Sequence, residues 1–130
     1  MSWPVRHISR SIAKTPAIVS AFLDDKRNLP KWAAGLSAGL HEENGKWISD
    51  SPMGKVEVRF APQNDFGVFD HDVILPNGES FHNPLRVLKN DDGSEVVFTL
   101  YRRGHENDEA FEHDAKLIET DLETLRGLLE

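Results

Sequence analysis

Apolar and polar side chains alternate through the middle of the chain. Over residues 55–60, Val56, Val58 and Phe60 alternate with Lys55, Glu57 and Arg59. Over residues 95–102, Val96, Phe98 and Leu100 share one face, opposite Glu95, Val97, Thr99 and Tyr101. A period of two belongs to extended strands, and this alternation predicts a sheet packed on one face and wet on the other. Turn-forming residues divide the region into six short segments, at 36–43, 46–50, 55–61, 67–75, 80–89 and 94–103. Asn44-Gly45 and Asn77-Gly78 read as two-residue hairpin turns in which both central residues take positive φ. Ser51-Pro52-Met53-Gly54, the stretch 62–67 and Asn90-Asp91-Asp92-Gly93 are slightly longer breaks of the same kind. Strands so short and so closely joined form an antiparallel meander.

The flanks carry a different period. Residues 3–12 read as one more strand, after which Thr15-Pro16 supplies an N-cap and a first-turn proline for a helix through Ile18, Val19, Phe22 and Leu23. That helix stops at Asp24-Asp25, and a second helical turn over residues 29–34 presents Trp32 before Gly35 ends it. At the other end Phe111, Ala115, Ile118, Leu122, Leu125 and Leu129 recur every three or four residues, an unbroken apolar stripe. Asn107 or Asp108 can cap this helix, and Glu109 and Glu112 suit the positive end of its dipole. At 1.5 Å per residue it is roughly 34 Å long, enough to lie across most of a sheet. The expected order is therefore strand, two short helices, six strands and a long helix. The stripe on that helix has one large apolar surface to bury itself on, the inner face of the sheet. Seven antiparallel strands twist and curl, so the concave side grips the helix.

Composition narrows the class. A length of 130 residues fits one domain, spanning 1–130, and 38% apolar with 28% charged side chains is ordinary for a folded chain. With no Cys there is no disulfide framework, thiolate zinc site or thiol nucleophile. No apolar run approaches a membrane span and the first residues lack a signal-peptide core, so a soluble cytoplasmic protein without membrane insertion is expected. The net charge of −7 sits entirely in the last fifth of the chain. Residues 104–130 carry nine acidic side chains and only Lys116 and Arg126 as basic ones, while residues 1–103 balance. A field of that sign repels phosphate backbones, and nucleic acid is not an expected partner.

Trp32-Ala33-Ala34-Gly35-Leu36, Ser51-Pro52-Met53-Gly54, Phe66-Gly67-Val68-Phe69-Asp70-His71 and Pro84-Leu85-Arg86-Val87 resemble a small bacterial branch of the SRPBCC superfamily. So do the stretches 93–100 and 121–125, and the likeness runs nearly end to end. It implies an α+β helix-grip fold, a seven-stranded curved antiparallel sheet wrapped around a long C-terminal helix. The superfamily (START-related proteins, polyketide cyclases and dehydrases, lipid-transfer proteins) shares a cavity and not a reaction.

Candidate chemistry centres on His71. In the segment 67–75 the inward phase is Phe69, His71, Val73 and Leu75, with Asp70 and Asp72 facing out, which points an imidazole into an apolar interior. Such a group serves as a general acid or base, as an anchor for a ligand's hydroxyl or carboxylate, or as a histidine satisfied by a backbone carbonyl or water. Trp32, Phe60, Phe69, Phe81, Phe98 and Phe111 are expected to line or fill the same interior, with Leu100, Ala115, Ile118 and Leu122 completing its walls. Pro84 removes a ladder donor, and a bulge there leaves open which of His82, Asn83 and Arg86 face inward. Neither Asp70-His71-Asp72 with His82 nor His105, Glu109 and His113 has a recognised metal spacing, and neither a metal nor a cofactor is expected. Arg102-Arg103 is expected to pair with the acidic helix.

Three functions compete on these grounds. The first is binding of a small hydrophobic, aromatic or lipid-like molecule between sheet and helix. The second is a cyclase-, aromatase- or dehydratase-like enzyme with His71 as acid or base. The third is an interaction module that uses the acidic helix or a sheet edge to bind another protein or itself as a homodimer.

Overall fold

A computed structural model describes residues 1–130 except Met53 and His105, so the break at Ser51-Pro52-Met53-Gly54 and the metal grouping around His105 lie partly outside the described residues. β1 (Val5–Ile12) leads into α1 (Pro16–Asp24), a 3-10 turn (Lys26–Asn28), α2 (Leu29–Trp32) and a second 3-10 turn (Ala34–Leu36). β2 (His41–Glu43), β3 (Lys46–Ser51), β4 (Gly54–Phe60), β5 (His71–Ile74) and β6 (Ser80–Asn83) follow. The chain ends in β7 (Leu85–Asn90), β8 (Gly93–Tyr101) and α3 (Asp108–Leu129). The side chain of Thr15 accepts from the Ile18 amide and that of Asn107 from the Ala110 amide at 2.7 Å, so Asn107 rather than Asp108 caps the long helix.

The α+β class, the antiparallel pairing and the long C-terminal helix agree with expectation. The single seven-stranded sheet does not. Among the described residues eight strands form two antiparallel sheets, in the orders β1-β8-β7 and β2-β3-β4-β5-β6. Pro84 is the cause. It has no N–H to give to a ladder, so the segment 80–89 splits around it into β6, paired with β5, and β7, paired with β8. Two other segments are shorter than their patterning suggests, since the first strand of the meander begins only at His41 and the fourth only at His71. Asn77-Gly78 also differs. Gly78 has φ of 88° while Asn77 has none of positive sign, and the Gly78 amide donates to the Leu75 carbonyl at 2.9 Å. Pro76 locks a negative φ just before Asn77, which favours an ordinary turn closed by one left-handed glycine. Asn44 and Gly45 both take positive φ, as expected.

The two sheets are stitched together ahead of β5. Val68 bridges Arg86, the Phe69 amide donates to the Leu85 carbonyl at 2.8 Å, and the Val87 amide to the Gly67 carbonyl at 2.9 Å. The run of chain before β5 therefore pairs with one sheet and β5 itself with the other. Asp70 sits at the seam, where its carboxylate accepts from the Leu85 amide at 2.9 Å and from the Arg86 guanidinium at 2.9 and 2.8 Å. Arg86 holds that carboxyl below the usual carboxylate range.

The apolar stripe of α3 faces the interior. Phe111, Ala115, Leu122 and Leu125 are buried there, with Ile118 and Leu129 half-buried beside them. Polar contacts fix the helix in place along its length. Arg6 of β1 donates to Glu112 at 2.9 Å, the Ala13 amide donates to Glu130 at 2.8 Å, and the Ala34 amide donates to Asp121 at 3.2 Å.

Asp121 gives a prediction of unusual sign. Its carboxyl is half-buried, and desolvation raises its pKa despite the bond from Ala34. A carboxyl whose folded pKa is raised favours the fold more as pH falls through that pKa and less as pH rises. Asp121→Asn keeps an acceptor for the Ala34 amide and removes the charge. The variant is expected to melt at a higher temperature than the wild type at pH 8, with the gap closing toward pH 4; circular-dichroism melts across that range check it.

Candidate functional site

The expected cavity residues do not converge on one chamber. Trp32, Phe60, Phe69 and His71 do meet, and with Leu23, Leu29 and Leu85 they enclose a cavity of about 20 Å³. That is the room of a single water molecule. Phe81 and Leu100 line a separate open cleft of about 520 Å³. Phe98, Ala115 and Leu122 lie buried in the core, and Ile118 packs against it half-buried. Phe111 is buried beneath the Arg6 guanidinium, 5.0 Å from its ring centre.

His71 points inward, as its alternation implies, and is only 6% exposed. Its Nδ1 is 3.1 Å from the Phe69 carbonyl oxygen, so Nδ1–H donates and Nε2 carries the lone pair. Its ring lies 6.1 Å from that of Phe60. Burial pushes its pKa below the ordinary histidine value, outweighing the Phe69 bond and the adjacent carboxylates, and leaves a neutral imidazole. Those carboxylates are engaged elsewhere, Asp70 with Arg86 and Asp72 with His82. The indole N–H of Trp32, in the same wall, is buried without an acceptor among the described residues.

The larger cleft lies among β6, the end of β8 and the start of α3. Its lining combines Trp3, Phe81, Leu100 and Tyr101 with Asp72, His82, Arg103, Glu106 and Asp114. Trp3 meets Tyr101 edge-on at 6.3 Å, and His82 stacks on the same Tyr101 ring at 6.5 Å. His82 Nδ1 is 2.6 Å from Asp72 Oδ1. Register explains why His82 cannot join His71. Asp72 stands opposite His82 and His71 opposite Asn83, so the two histidines alternate onto different faces. Arg86 is turned to Asp70, away from any ligand role in this cleft.

The two arginines at the end of β8 part company. Arg102 pairs with Asp108 at the head of α3, as expected. Arg103 instead donates to the Ser80 carbonyl at 2.7 Å and comes within 3.9 Å of Glu79. Its guanidinium lies 5.3 Å from the Trp3 ring centre and 4.6 Å from that of Phe81, a cation held against two aromatic faces. Among the described residues no cluster of three His, Asp or Glu side chains is arranged to hold a metal ion.

No family model and no curated protein matches the sequence. Solved structures do match the fold. The protein XoxI from Bacillus cereus superposes with a TM-score of 0.74 at 15% identity, over 99% of this chain and 96% of its own. The Aha1 dimer from Colwellia psychrerythraea gives 0.72 at 14% identity, over 98% and 96%. Ara h 8.0201 gives 0.66 at 14% identity, over 97% of each chain. The fold is of the helix-grip kind. At these identities the likeness speaks for the fold alone.

Proposed function

We propose that this protein binds a small ligand with an apolar or aromatic body in the open cleft among β6, β8 and α3. The observation that carries the reading is a large volume joined to a mostly apolar, aromatic lining. About 520 Å³ of aromatic-walled space stands open there, whereas the interior around His71 offers about 20 Å³. The first figure is the size of a small-molecule site, concave and mostly apolar with a few polar points, and the second is not. Leu100 and Phe81 supply the floor expected for such a ligand, and Trp3 and Tyr101 add to it.

Binding of N-phenyl-1-naphthylamine, an uncharged probe that fluoresces in apolar surroundings, tests this. One saturable site per chain is expected. Ser80→Trp places an indole in the cleft from an exposed position and is expected to weaken binding at least tenfold. Thr124→Trp, on the exposed side of α3, leaves it unchanged. Absence of a saturable site, or binding indifferent to Ser80→Trp, overturns the reading.

One observation favours a second reading, acid–base catalysis in the same cleft, and it concerns His82 rather than His71. The contact from Nδ1 to Asp72 fixes the tautomer of an accessible imidazole and leaves Nε2 for a bound molecule.

A further inference from the structure

The walls of the cleft differ in charge from the ligand class so far described. Among the described residues four charged groups besides His82 line it, Asp72, Arg103, Glu106 and Asp114. Asp72 is committed to His82 at 2.6 Å. Arg103 is committed to the Ser80 carbonyl, to Glu79 nearby and to the faces of Trp3 and Phe81. Two carboxylates remain. Asp114 is half-buried on α3 and has no hydrogen-bond or ion-pair partner among the described residues. One oxygen of Glu106 is sealed from solvent with no donor among the described residues. A buried carboxylate oxygen without a donor is costly, and rotation of the Glu106 carboxylate to meet an N–H in the cleft recovers that cost.

The aromatic side of the cleft is already suited to positive charge. Trp3 and Phe81 already hold the Arg103 guanidinium 5.3 and 4.6 Å from their ring centres, so cation–aromatic packing is part of this wall, and the Tyr101 ring adds a further aromatic surface. The wider field agrees. All of the net charge of −7 lies in residues 104–130, which contribute Glu106 and Asp114 to this wall, and a semi-enclosed cleft concentrates such a field. Cleft, aromatic faces and unpaired carboxylates are separate observations that ask for one chemistry.

We propose that the ligand of this cleft is an organic cation, a protonated amine or guanidine on an apolar body, with its charge met by Asp114 and Glu106 and its body lying along Leu100, Phe81 and Tyr101. The inference rests on the reading of the cleft as a ligand site and adds the sign of the ligand's charge. Free anions are disfavoured here, because Arg103, the one arginine or lysine lining the cleft among the described residues, is already partnered.

Three probes that share one aromatic body separate the two claims: 1-naphthylmethylammonium, 1-naphthylmethanol and 1-naphthoate, titrated calorimetrically at low salt into the full chain. The ammonium is expected to bind at least tenfold tighter than the alcohol, and the naphthoate weakest of the three. Asp114→Asn combined with Glu106→Gln, both close in shape to the residues they replace, is expected to erase that preference while changing the alcohol's affinity less than twofold. Raising the ionic strength narrows the gap in the wild type. If alcohol and ammonium bind alike, or if the preference survives in the double variant, the charge assignment is wrong and the site stands. If none of the three binds, both readings fall together.

Discussion

Replacing Gly67 by alanine is expected to destabilise the protein by roughly 2–4 kcal/mol, at the upper end of what single substitutions cost. Two independent effects act at this position. Its φ of +72° is one that side chains with a Cβ adopt only under strain. A Cβ there would also stand 2.4 Å from the Val87 carbonyl oxygen, a contact no real Cβ makes. Relief is not local, because that carbonyl belongs to β7 and Gly67 itself accepts the Val87 amide at 2.9 Å. Moving either strand breaks the stitch between the two sheets, and with it the register that places Asp70 on Arg86 and His71 inward. A fall in Tm on the order of 10 °C is expected. Gly127→Ala makes the control. It lies in the exposed last turns of α3 with nothing within 4 Å of the added Cβ, and alanine there is expected to stabilise by about 0.5–1 kcal/mol. A Gly67→Ala protein melting within 2 °C of the wild type would show that the seam is not held as described.

The same seam marks the boundary of what could be read from sequence. Period and turn chemistry are local properties, and local properties were legible. The stripe of α3, the inward face of β8 at Val96 and Phe98, the inward His71 and the Asn44-Gly45 hairpin all stand where patterning puts them. Pro84 was legible as a disturbance, but whether it bulges one strand or hands the chain from one sheet to another depends on what pairs across it. That partner is the run before β5, and its approach is set by Gly67 and by the Asp70 carboxylate, not by period. The candidate site was less legible still. Phe81 and Leu100 belong to the apolar pattern, but Trp3, Tyr101, Arg103, Glu106 and Asp114 form no motif, and only tertiary pairing brings Trp3 and Asp114 to the short stretch that holds the other three. The register of β1 on β8, with Val5 opposite Tyr101, is what carries the N-terminal tryptophan to the far end of the chain. Cavity volume was beyond patterning altogether. The six residues around His71 are apolar enough to make a ligand chamber, and side-chain volume closes it to the size of one water.

That closed interior has a consequence for acid stability, and His71→Phe exposes it. His71 is neutral in the fold because burial lowers its pKa from the ordinary value of 6.5. In the unfolded chain it takes up a proton near that ordinary value. As pH falls below about 6.5 the unfolded state gains a proton that the folded state refuses, and stability is lost until pH passes the depressed folded pKa. Phenylalanine fills nearly the same space beside Phe60 and does not titrate. At pH 8 the variant is expected to be the weaker protein, by about 1 kcal/mol, since it loses the bond from Nδ1 to the Phe69 carbonyl. Toward pH 5 the wild type descends and the variant does not share that descent, so the two Tm curves converge and then cross. The comparison cancels what both proteins have in common, including the carboxylates that Arg86 and other partners hold below their usual range, whose loss begins at lower pH. Parallel melting curves from pH 8 to pH 5 would mean that the imidazole accepts a proton in place, which a cavity of about 20 Å³ with an apolar lining does not permit. The interior would then have to open to water or to a counter-ion, and a ligand chamber at His71 would return as the rival of the cleft.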